Sequence, residues 1–224
     1  MNCLPPDPTA PQLPRSDNDL DPSQEDALDT IRAAALNLRE LLDELGLPSW
    51  IKTSGSKGFH IAVPLDGKSD FGTVARFAHV VGQVLVQRDP EHLTQEFHKV
   101  DRGTRILVDT GRNAYSATYA ATYTVRAKPG APVSAPCTWE ELENGDVGPR
   151  TFTLRNMAQR VADAGDLWSD MLKKKRSLKR PIERLKKLST DYPDSDRGRD
   201  RWARPHSRTS STKGNTERPY SDSE

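Results

Sequence analysis

The stretch W-I-K-T-S-G-S-K-G-F-H-I-A-V-P, residues 50–64, predicts the central feature of the fold. Two runs rich in β-branched and aromatic residues, 50–53 and 59–64, flank a short segment that contains two glycines. Strand-forming runs separated by such a segment are typical of a β-hairpin. Because successive side chains of a strand point to opposite faces, Phe59 and His60 are expected on opposite faces of the second strand.

Helical and extended segments alternate around this hairpin. Apolar residues recur at spacings of three and four over residues 28–45, which predicts a helix with Ser23 as its N-cap and its end at Gly46. A second helix is predicted over about 70–87, and further strands over 105–109 and 122–126. Close hairpins among helices favour an α+β fold, a mixed sheet with flanking helices, over a doubly wound parallel sheet.

The charge of the chain is unevenly distributed. The 224 residues hold 33 Lys and Arg and 32 Asp and Glu, and residues 172–224 hold 16 of the former and 8 of the latter. The basic end therefore has a net charge of +8 and the remaining chain one of −7. Such a segment could contact a polyanion.

Composition also predicts the domain boundaries. The amino-terminal residues are rich in Pro, Asp, Asn and Ser and cannot form a core strand, whereas the carboxy-terminal residues are Lys/Arg-rich and then Ser/Arg-rich. The predicted parts are a disordered leader over 1–18, a globular domain over 19–172, and a basic, largely disordered tail over 173–224. The start of that tail has loose helical spacing, which Pro181 would break or kink.

Several classes of protein are excluded. The chain lacks a run of about 18 apolar residues that could span a membrane, and its start lacks the pattern of a secretory signal. Two cysteines, Cys3 and Cys137, cannot form a disulfide framework. A cytoplasmic location is therefore expected.

Three acidic residues are candidate metal ligands. Asp19 and Asp21 lie two apart, and so on one face of an extended segment, where their carboxylates could bridge divalent cations. Asp109 follows the apolar run 106–108, at the end of a predicted buried strand. The alternatives are a solvated turn for the first pair and a capping or turn acid for Asp109.

Basic and small residues form a second candidate site. In the hairpin turn, two glycines would let the backbone approach an anion, while nearby hydroxyl, ammonium and imidazole groups could bind it. Further along the chain, several cations would suit a triphosphate. The residues are Ser54, Gly55, Lys57, His60, Arg112, Arg126 and Lys128. The alternatives are an ordinary hairpin turn and, for Arg126 and Lys128, one solvated face of a strand.

The order of these motifs is more specific than any one of them. The chain runs from D-x-D to S-G-S-K-G-F-H at 54–60, then to L-V-D-T-G-R-N at 107–113 and Y-T-V-R-A-K-P-G-A-P-V-S at 123–134. This succession resembles the polymerase domain of bacterial ATP-dependent DNA ligase D, within the archaeo-eukaryotic primase superfamily. The resemblance covers residues 19–172.

The resemblance implies metal-dependent nucleotidyl transfer. Asp19, Asp21 and Asp109 would be catalytic ligands of two divalent cations, Mn²⁺ or Mg²⁺. The serine, glycine and basic residues of the second candidate site would bind the nucleotide. The domain would add nucleotides, often ribonucleotides, to DNA ends in non-homologous end joining, together with a Ku-like end-binding protein and a separate ligase.

Two features of the chain depart from the family pattern. Members of the family carry an N-terminal lobe, and an apolar strand before the D-x-D, which the 18 residues here do not resemble. The alternative function is therefore a truncated, catalytically inactive nucleotide- or DNA-binding remnant. In either case Lys173, Lys174, Lys175 and Arg176 are expected to add salt-dependent affinity for DNA.

Overall fold

A computed structural model describes residues 15–23, 27–114 and 117–189. The strands are β1 (Arg15–Asp21), β2 (Trp50–Thr53), β3 (Phe59–Pro64), β4 (Leu93–Thr94), β5 (Ile106–Asp109), β6 (Thr124–Val125), β7 (Val133–Ser134) and β8 (Pro136–Cys137). The helices are α1 (Leu28–Leu45), α2 (Phe71–Arg88), α3 (Lys99–Arg102), α4 (Trp139–Asn144), α5 (Met157–Ala164) and α6 (Lys179–Leu188), with short 3-10 turns at Gly111–Asn113 and Met171–Lys174.

Six strands form one mixed sheet in the order β4-β5-β1-β3-β2-β8. β4 and β5 pair in parallel, and the other neighbours pair antiparallel. β6 and β7 form a separate two-stranded ribbon. The predicted hairpin at 50–64 is confirmed as β2 and β3, and the expected mixed sheet with flanking helices is confirmed as well.

The two long helices bury one face of the sheet. α1 contributes an apolar stripe that includes Ile31, Leu38 and Leu45, and α2 contributes another that includes Phe77 and Leu85. Both stripes belong to the same hydrophobic cluster as the apolar residues of the sheet. The opposite face of the sheet is therefore left for polar side chains.

The ends of these helices follow from local chemistry. Gly46 ends α1 in the left-handed conformation, with φ of 79°, which glycine adopts without a steric penalty. The side chain of Asp70 accepts a hydrogen bond from the Thr73 N–H and caps the start of α2. α2 matches the sequence prediction to within one residue at both ends, and α1 ends at Gly46 as predicted. The predicted N-cap at Ser23 is wrong, because α1 begins at Leu28 after Ala27 and the Ser23 hydroxyl donates to the Arg105 carbonyl at 2.9 Å.

The expectation that residues before Asp19 cannot form a core strand is wrong. β1 begins at Arg15 and lies between β3 and β5, so both of its edges are paired. The side chain of Asn113 also bonds the backbone of Asp17 twice, through Oδ1 at 2.9 Å and Nδ2 at 2.6 Å. Backbone pairing and this amide compensate for the burial of a polar strand. The rest of the predicted leader, residues 1–14, lies outside the described residues.

The predicted boundary at residue 173 is also corrected. Arg176 pairs with the chain after β3: its N–H donates to the Pro64 carbonyl, and its own carbonyl accepts from the Asp66 N–H. α6 then packs against α1 and α2, with Leu185 fully buried. Pro181 does not break the helix because it lies in its first turn, where backbone N–H groups have no partner within the helix. Residues 190–224 of the predicted tail lie outside the described residues.

One further strand is shorter than predicted. Only Thr124–Val125 of the segment 122–126 is extended and paired, and both residues are exposed. The chain turns immediately afterwards, where the Lys128 N–H donates to the Arg126 carbonyl. None of the helices within the described ranges is long and apolar enough to span a membrane.

The docking of α6 can be tested with two leucines of the same helix. Leu185 is 0% exposed and Leu188 is 42% exposed. Leu185→Ala should lower the free energy of unfolding by about 2–4 kcal/mol because it leaves a cavity under the helix. Leu188→Ala should change it by less than about 1 kcal/mol. Urea denaturation measures both, and equal effects would contradict the docked position.

Candidate active site

Four polar side chains form one row across the open face of the sheet. Lys52 on β2 lies opposite His60 on β3, His60 lies opposite Asp19 on β1, and Asp19 lies opposite Asp109 on β5. Directly opposed residues of antiparallel strands share a face and lie close together. Strand register therefore brings together residues that are up to 90 positions apart in the sequence.

A cleft of about 520 Å³ lies over Asp19 and His60 of this row, whereas Lys52 and Asp109 do not line it. Its floor holds acidic residues and His60, and its walls come from the β2–β3 turn and from the segments 118–120 and 124–127. Of the residues singled out in the sequence, those that line it are Asp19, Asp21, Ser54, Lys57, His60, Arg112 and Arg126. The cleft thus has two acids on one side and three long cations on the others.

The Asp19 carboxylate lies in a strongly perturbed environment. Its Oδ1 atom is 3.3 Å from Nε2 of His60. Burial, followed by the nearby charges of Asp109 and Asp21, raises the pKa of Asp19 to about 7. This carboxylate is therefore held where its ionised form is disfavoured, and a nearby cation would relieve that cost.

The other two acids already have cationic partners. Oδ2 of Asp109 is 3.4 Å from Nε of Arg112, and its Oδ1 accepts the Gly111 N–H at 2.8 Å. Oδ2 of Asp21 is 3.4 Å from the guanidinium of the buried Arg102. The structure therefore brings Asp19 beside Asp109 and turns Asp21 towards Arg102.

Carboxylate oxygens are suitable ligands for Mg²⁺ or Mn²⁺. Within 15–23, 27–114 and 117–189, however, no three His, Cys, Asp or Glu side chains are gathered closely enough to hold one ion. The donor chemistry of Asp19 and Asp109 fits a divalent cation. Asp21 would have to leave Arg102 to complete the predicted set of three.

The β2–β3 turn is shaped by close backbone approaches. Ser54 Oγ accepts the N–H groups of Ser56 and Gly58, which fixes the turn. Gly55 has φ of 64°, and a Cβ there would come within 2.7 Å of Arg126 Cγ. A Cβ on Gly58 would lie 1.7 Å from the Leu20 carbonyl oxygen. Gly55 is thus required by the turn and does not itself line the cleft.

Lys128 is placed differently from its sequence prediction. It does not share a strand face with Arg126, because the chain turns between them. Its ammonium donates to the Ser56 hydroxyl and so braces the β2–β3 turn from outside the cleft lining. Arg126 remains in the cleft wall and covers Gly55.

Two residues of the site were not singled out from the sequence. Lys52 is fully buried at the end of the row, and the Tyr119 ring lies 5.1 Å from the His60 ring and 4.6 Å from Lys52 Nζ. Burial and the Lys52 charge lower the pKa of His60 to about 2, so the ring is neutral. The position of Lys52 within the apolar run 50–53 was a sequence signal, because a charge buried in a strand needs a partner. No pattern pointed to Tyr119.

The predicted basic cluster at 173–176 lies away from the cleft lining. Lys173 is exposed and pairs with Asp170 at 2.8 Å. Arg176 bonds to the end of β3 at Pro64, four residues beyond His60. The expected contact of this cluster with DNA stays a prediction.

A family model described as "LigD, primase-polymerase domain" matches residues 3–168. The chain belongs to this family. The resemblance inferred from the motif order is therefore confirmed, and the mixed sheet with flanking helices is the fold of the family.

Individual relatives agree with this assignment. The chain is 40% identical over 142 residues to the multifunctional non-homologous end joining protein LigD of Pseudomonas aeruginosa, covering 62% of this chain and 17% of that protein. It is 32% identical over 179 residues to the LigD protein of Mycobacterium tuberculosis strain H37Rv, covering 80% and 21%. The chain thus spans about a fifth of the length of these relatives.

A solved structure is similar as well. The polymerase domain from Mycobacterium tuberculosis Ligase D, in complex with DNA, superposes with a TM-score of 0.67 at 31% identity. The match covers 72% of this chain and 56% of that one. The match therefore extends over little more than half of the solved chain.

The charge of Asp19 gives a pH-dependent prediction. Between its ordinary pKa of 3.8 and about 7, the folded protein keeps a proton that the unfolded chain has released. The free energy of unfolding should therefore fall as the pH rises through this window. Asp19→Asn should be more stable than the unaltered chain by about 1–3 kcal/mol at pH 8, with no difference near pH 4.

Urea denaturation at several pH values, without divalent cations, measures this difference. Asp101→Asn, at an exposed position, is the matched control and should show no such dependence. Equal stability of Asp19→Asn and the unaltered chain at pH 8 would contradict the raised pKa of Asp19 in the folded protein.

Proposed function

We propose that this chain is a DNA-directed nucleotidyltransferase that adds nucleotides to DNA ends during non-homologous end joining. The observation that carries the proposal is one cleft that is lined by Asp19 and by the cations Lys57, Arg112 and Arg126, with Asp109 directly opposite Asp19 on the neighbouring strand. Acids that can hold divalent cations, opposite basic groups that can hold a triphosphate, are what phosphoryl transfer requires.

The carboxylates would hold the metal ions. Asp19 and Asp109 are adjacent across the strands, and Asp21 lines the same cleft. When bound, Mn²⁺ or Mg²⁺ ions supply Lewis acidity that makes a primer hydroxyl more acidic and neutralises charge on the pyrophosphate. The carboxylates would fix the position of these ions relative to the primer end.

The basic wall would bind the nucleotide. Arg126 lies over the β2–β3 turn, and Lys57 extends from that turn into the cleft lining. Arg112 completes the wall and would exchange its contact with Asp109 for a phosphate oxygen. Ser54 and His60 supply neutral hydrogen-bonding groups, which would bind the phosphates and the sugar of the nucleotide.

DNA ends and nucleoside triphosphates are the proposed substrates. The solved structure of the mycobacterial polymerase domain is a complex with DNA, and several relatives bear the name of non-homologous end joining proteins. A Ku-like end-binding protein and a separate DNA ligase in the cytoplasm are the proposed partners.

A specific observation favours a second candidate function. Asp21 is turned to Arg102, and Asp109 is already bound by Arg112 and the Gly111 N–H. If these contacts persist in the presence of DNA and nucleotide, the acids hold no pair of ions. The chain would then bind nucleotide or DNA without turnover.

Primer extension separates the two functions. A primed DNA end is incubated with the chain, MnCl₂ and labelled ribonucleotides. Asp109→Asn should lower the rate of extension at least about a hundredfold because it removes a charged ligand opposite Asp19. Asp101→Asn is the matched control at an exposed position and should extend normally.

Nucleotide binding in the same samples completes the test. Arg126→Met should weaken the binding of ATP about tenfold or more, whereas Arg155→Met, at an exposed position, should not. Absence of extension by the unaltered chain, with ATP binding retained, would select the non-catalytic function. Absence of both would reject the cleft as a nucleotide site.

The basic cluster at 173–176 gives a separate prediction. Replacing all four residues with Gln keeps the backbone pairing of Arg176 with β3. DNA affinity should fall mainly at low salt, and the slope of log affinity against log salt should become shallower by up to about 3. Fluorescence anisotropy with labelled DNA measures both quantities. Unchanged affinity at low ionic strength would show that the cluster is not a DNA contact.

A further inference from the structure

Lys52 makes a saturated set of hydrogen bonds inside the protein. Its ammonium donates to Nδ1 of His60 at 2.9 Å, to the Ala120 carbonyl at 2.8 Å and to Oγ of Ser134. The Ser134 hydroxyl donates its own hydrogen to the Thr53 carbonyl at 2.9 Å, so it can only accept from Lys52. Three N–H groups therefore meet three acceptors, which is the full capacity of a lysine.

This arrangement fixes the position of the proton on the His60 ring. A neutral imidazole has one nitrogen that donates and one that accepts. Burial lowers the pKa of Lys52 to about 7, so below that pH Lys52 is an ammonium. Because an ammonium has no lone pair, Nδ1 of His60 must then be the acceptor. The single ring proton then lies on Nε2, which faces Asp19 Oδ1 at 3.3 Å. A carboxylate oxygen of Asp19 can accept from this N–H, so the Asp19 side is compatible with the tautomer that the Lys52 side requires.

The same lysine also holds the wall of the cleft. Ala120 belongs to the segment 118–120 that lines the cleft, and Ser134 lies on β7, beside the ribbon strand β6. The Tyr119 ring covers both Lys52 and His60. One buried ammonium thus joins the sheet, the imidazole and the loop that closes over them.

We propose that Lys52 is a positioning residue that keeps His60 in the tautomer protonated at Nε2, so that the ring presents an N–H donor to the cleft. The binding consequence rests on the proposed function, in which this donor meets a nucleotide. The tautomer itself does not depend on that function. A lysine with a merely structural role would stabilise the loop without controlling the ring proton.

The first test uses the unaltered chain. Nitrogen-15 NMR with long-range proton correlations distinguishes the protonated from the unprotonated ring nitrogen of each histidine, and His60→Gln identifies the His60 signals. At pH 5.5, where Lys52 is an ammonium, and without metal or nucleotide, we expect His60 to carry its proton on Nε2 alone. A proton on Nδ1, or a mixture of the two tautomers, overturns the proposal without any lysine variant.

The second test uses variants that separate structure from positioning. Lys52→Met keeps an unbranched chain and removes all three donors, so both tautomers of His60 should become populated. Ser134→Ala removes one acceptor of Lys52 and leaves the His60 contact, so it should lower stability to urea while the tautomer stays unchanged. Lys68→Met, at an exposed position, is the control and should alter neither property.

Binding of ATP with MgCl₂, measured by calorimetry, connects the tautomer to the cleft. Lys52→Met should weaken it about tenfold or more, which corresponds to a lost hydrogen bond to a charged group. If Lys52→Met does not fold, the tautomer of the unaltered chain and of Ser134→Ala still decides the proposal.

The possible outcomes are distinct. A folded Lys52→Met protein that keeps the Nε2 tautomer overturns the positioning role. A changed tautomer with unchanged ATP affinity supports that role for Lys52 and instead overturns the assignment of His60 to nucleotide binding.

Discussion

Backbone pairing on both edges of β1 is the interaction on which the site depends. β1 has the sequence R-S-D-N-D-L-D, and it lies at the centre of the sheet although most of its residues are polar. Its position is stable because β3 and β5 satisfy its backbone groups and because the Asn113 side chain bonds both the N–H and the carbonyl of Asp17. Any slip of this strand by one residue would turn Asp19 to the apolar face.

One face of the sheet is apolar and the other carries the polar side chains of the site. The face that carries Leu20 and Phe59 is covered by α1 and α2 and supplies the hydrophobic core. The other face carries the row from Lys52 to Asp109, where burial and like charge raise the pKa of Asp19. Such strain is tolerated because the core on the opposite face, with its apolar helices, stabilises the fold. Because the ionised form of Asp19 is disfavoured, cations bound in the cleft would stabilise the folded chain.

Much of the site followed from residue order and alternation. The hairpin predicted at 50–64 places His60 on the open face, and the motif order alone indicated the LigD family. Two boundaries could not be derived in this way. Local composition marks residues 15–18 and 173–188 as polar, whereas their structure comes from partners distant in the chain, such as β3 for the first and α1 for the second.

The sequence by itself determined the long helices, the hairpin and the family, because these depend on periodicity and on motifs within short windows. It also supplied the residue types of the cleft. Only the tertiary structure decided which of them meet: Asp19 lies beside Asp109, Asp21 turns to Arg102, and Lys128 braces a turn from outside the cleft lining. The role of Lys52 was hidden for the same reason, since its three acceptors come from segments 8 to 82 residues away. Such contacts depend on strand register and loop packing, which no local pattern specifies.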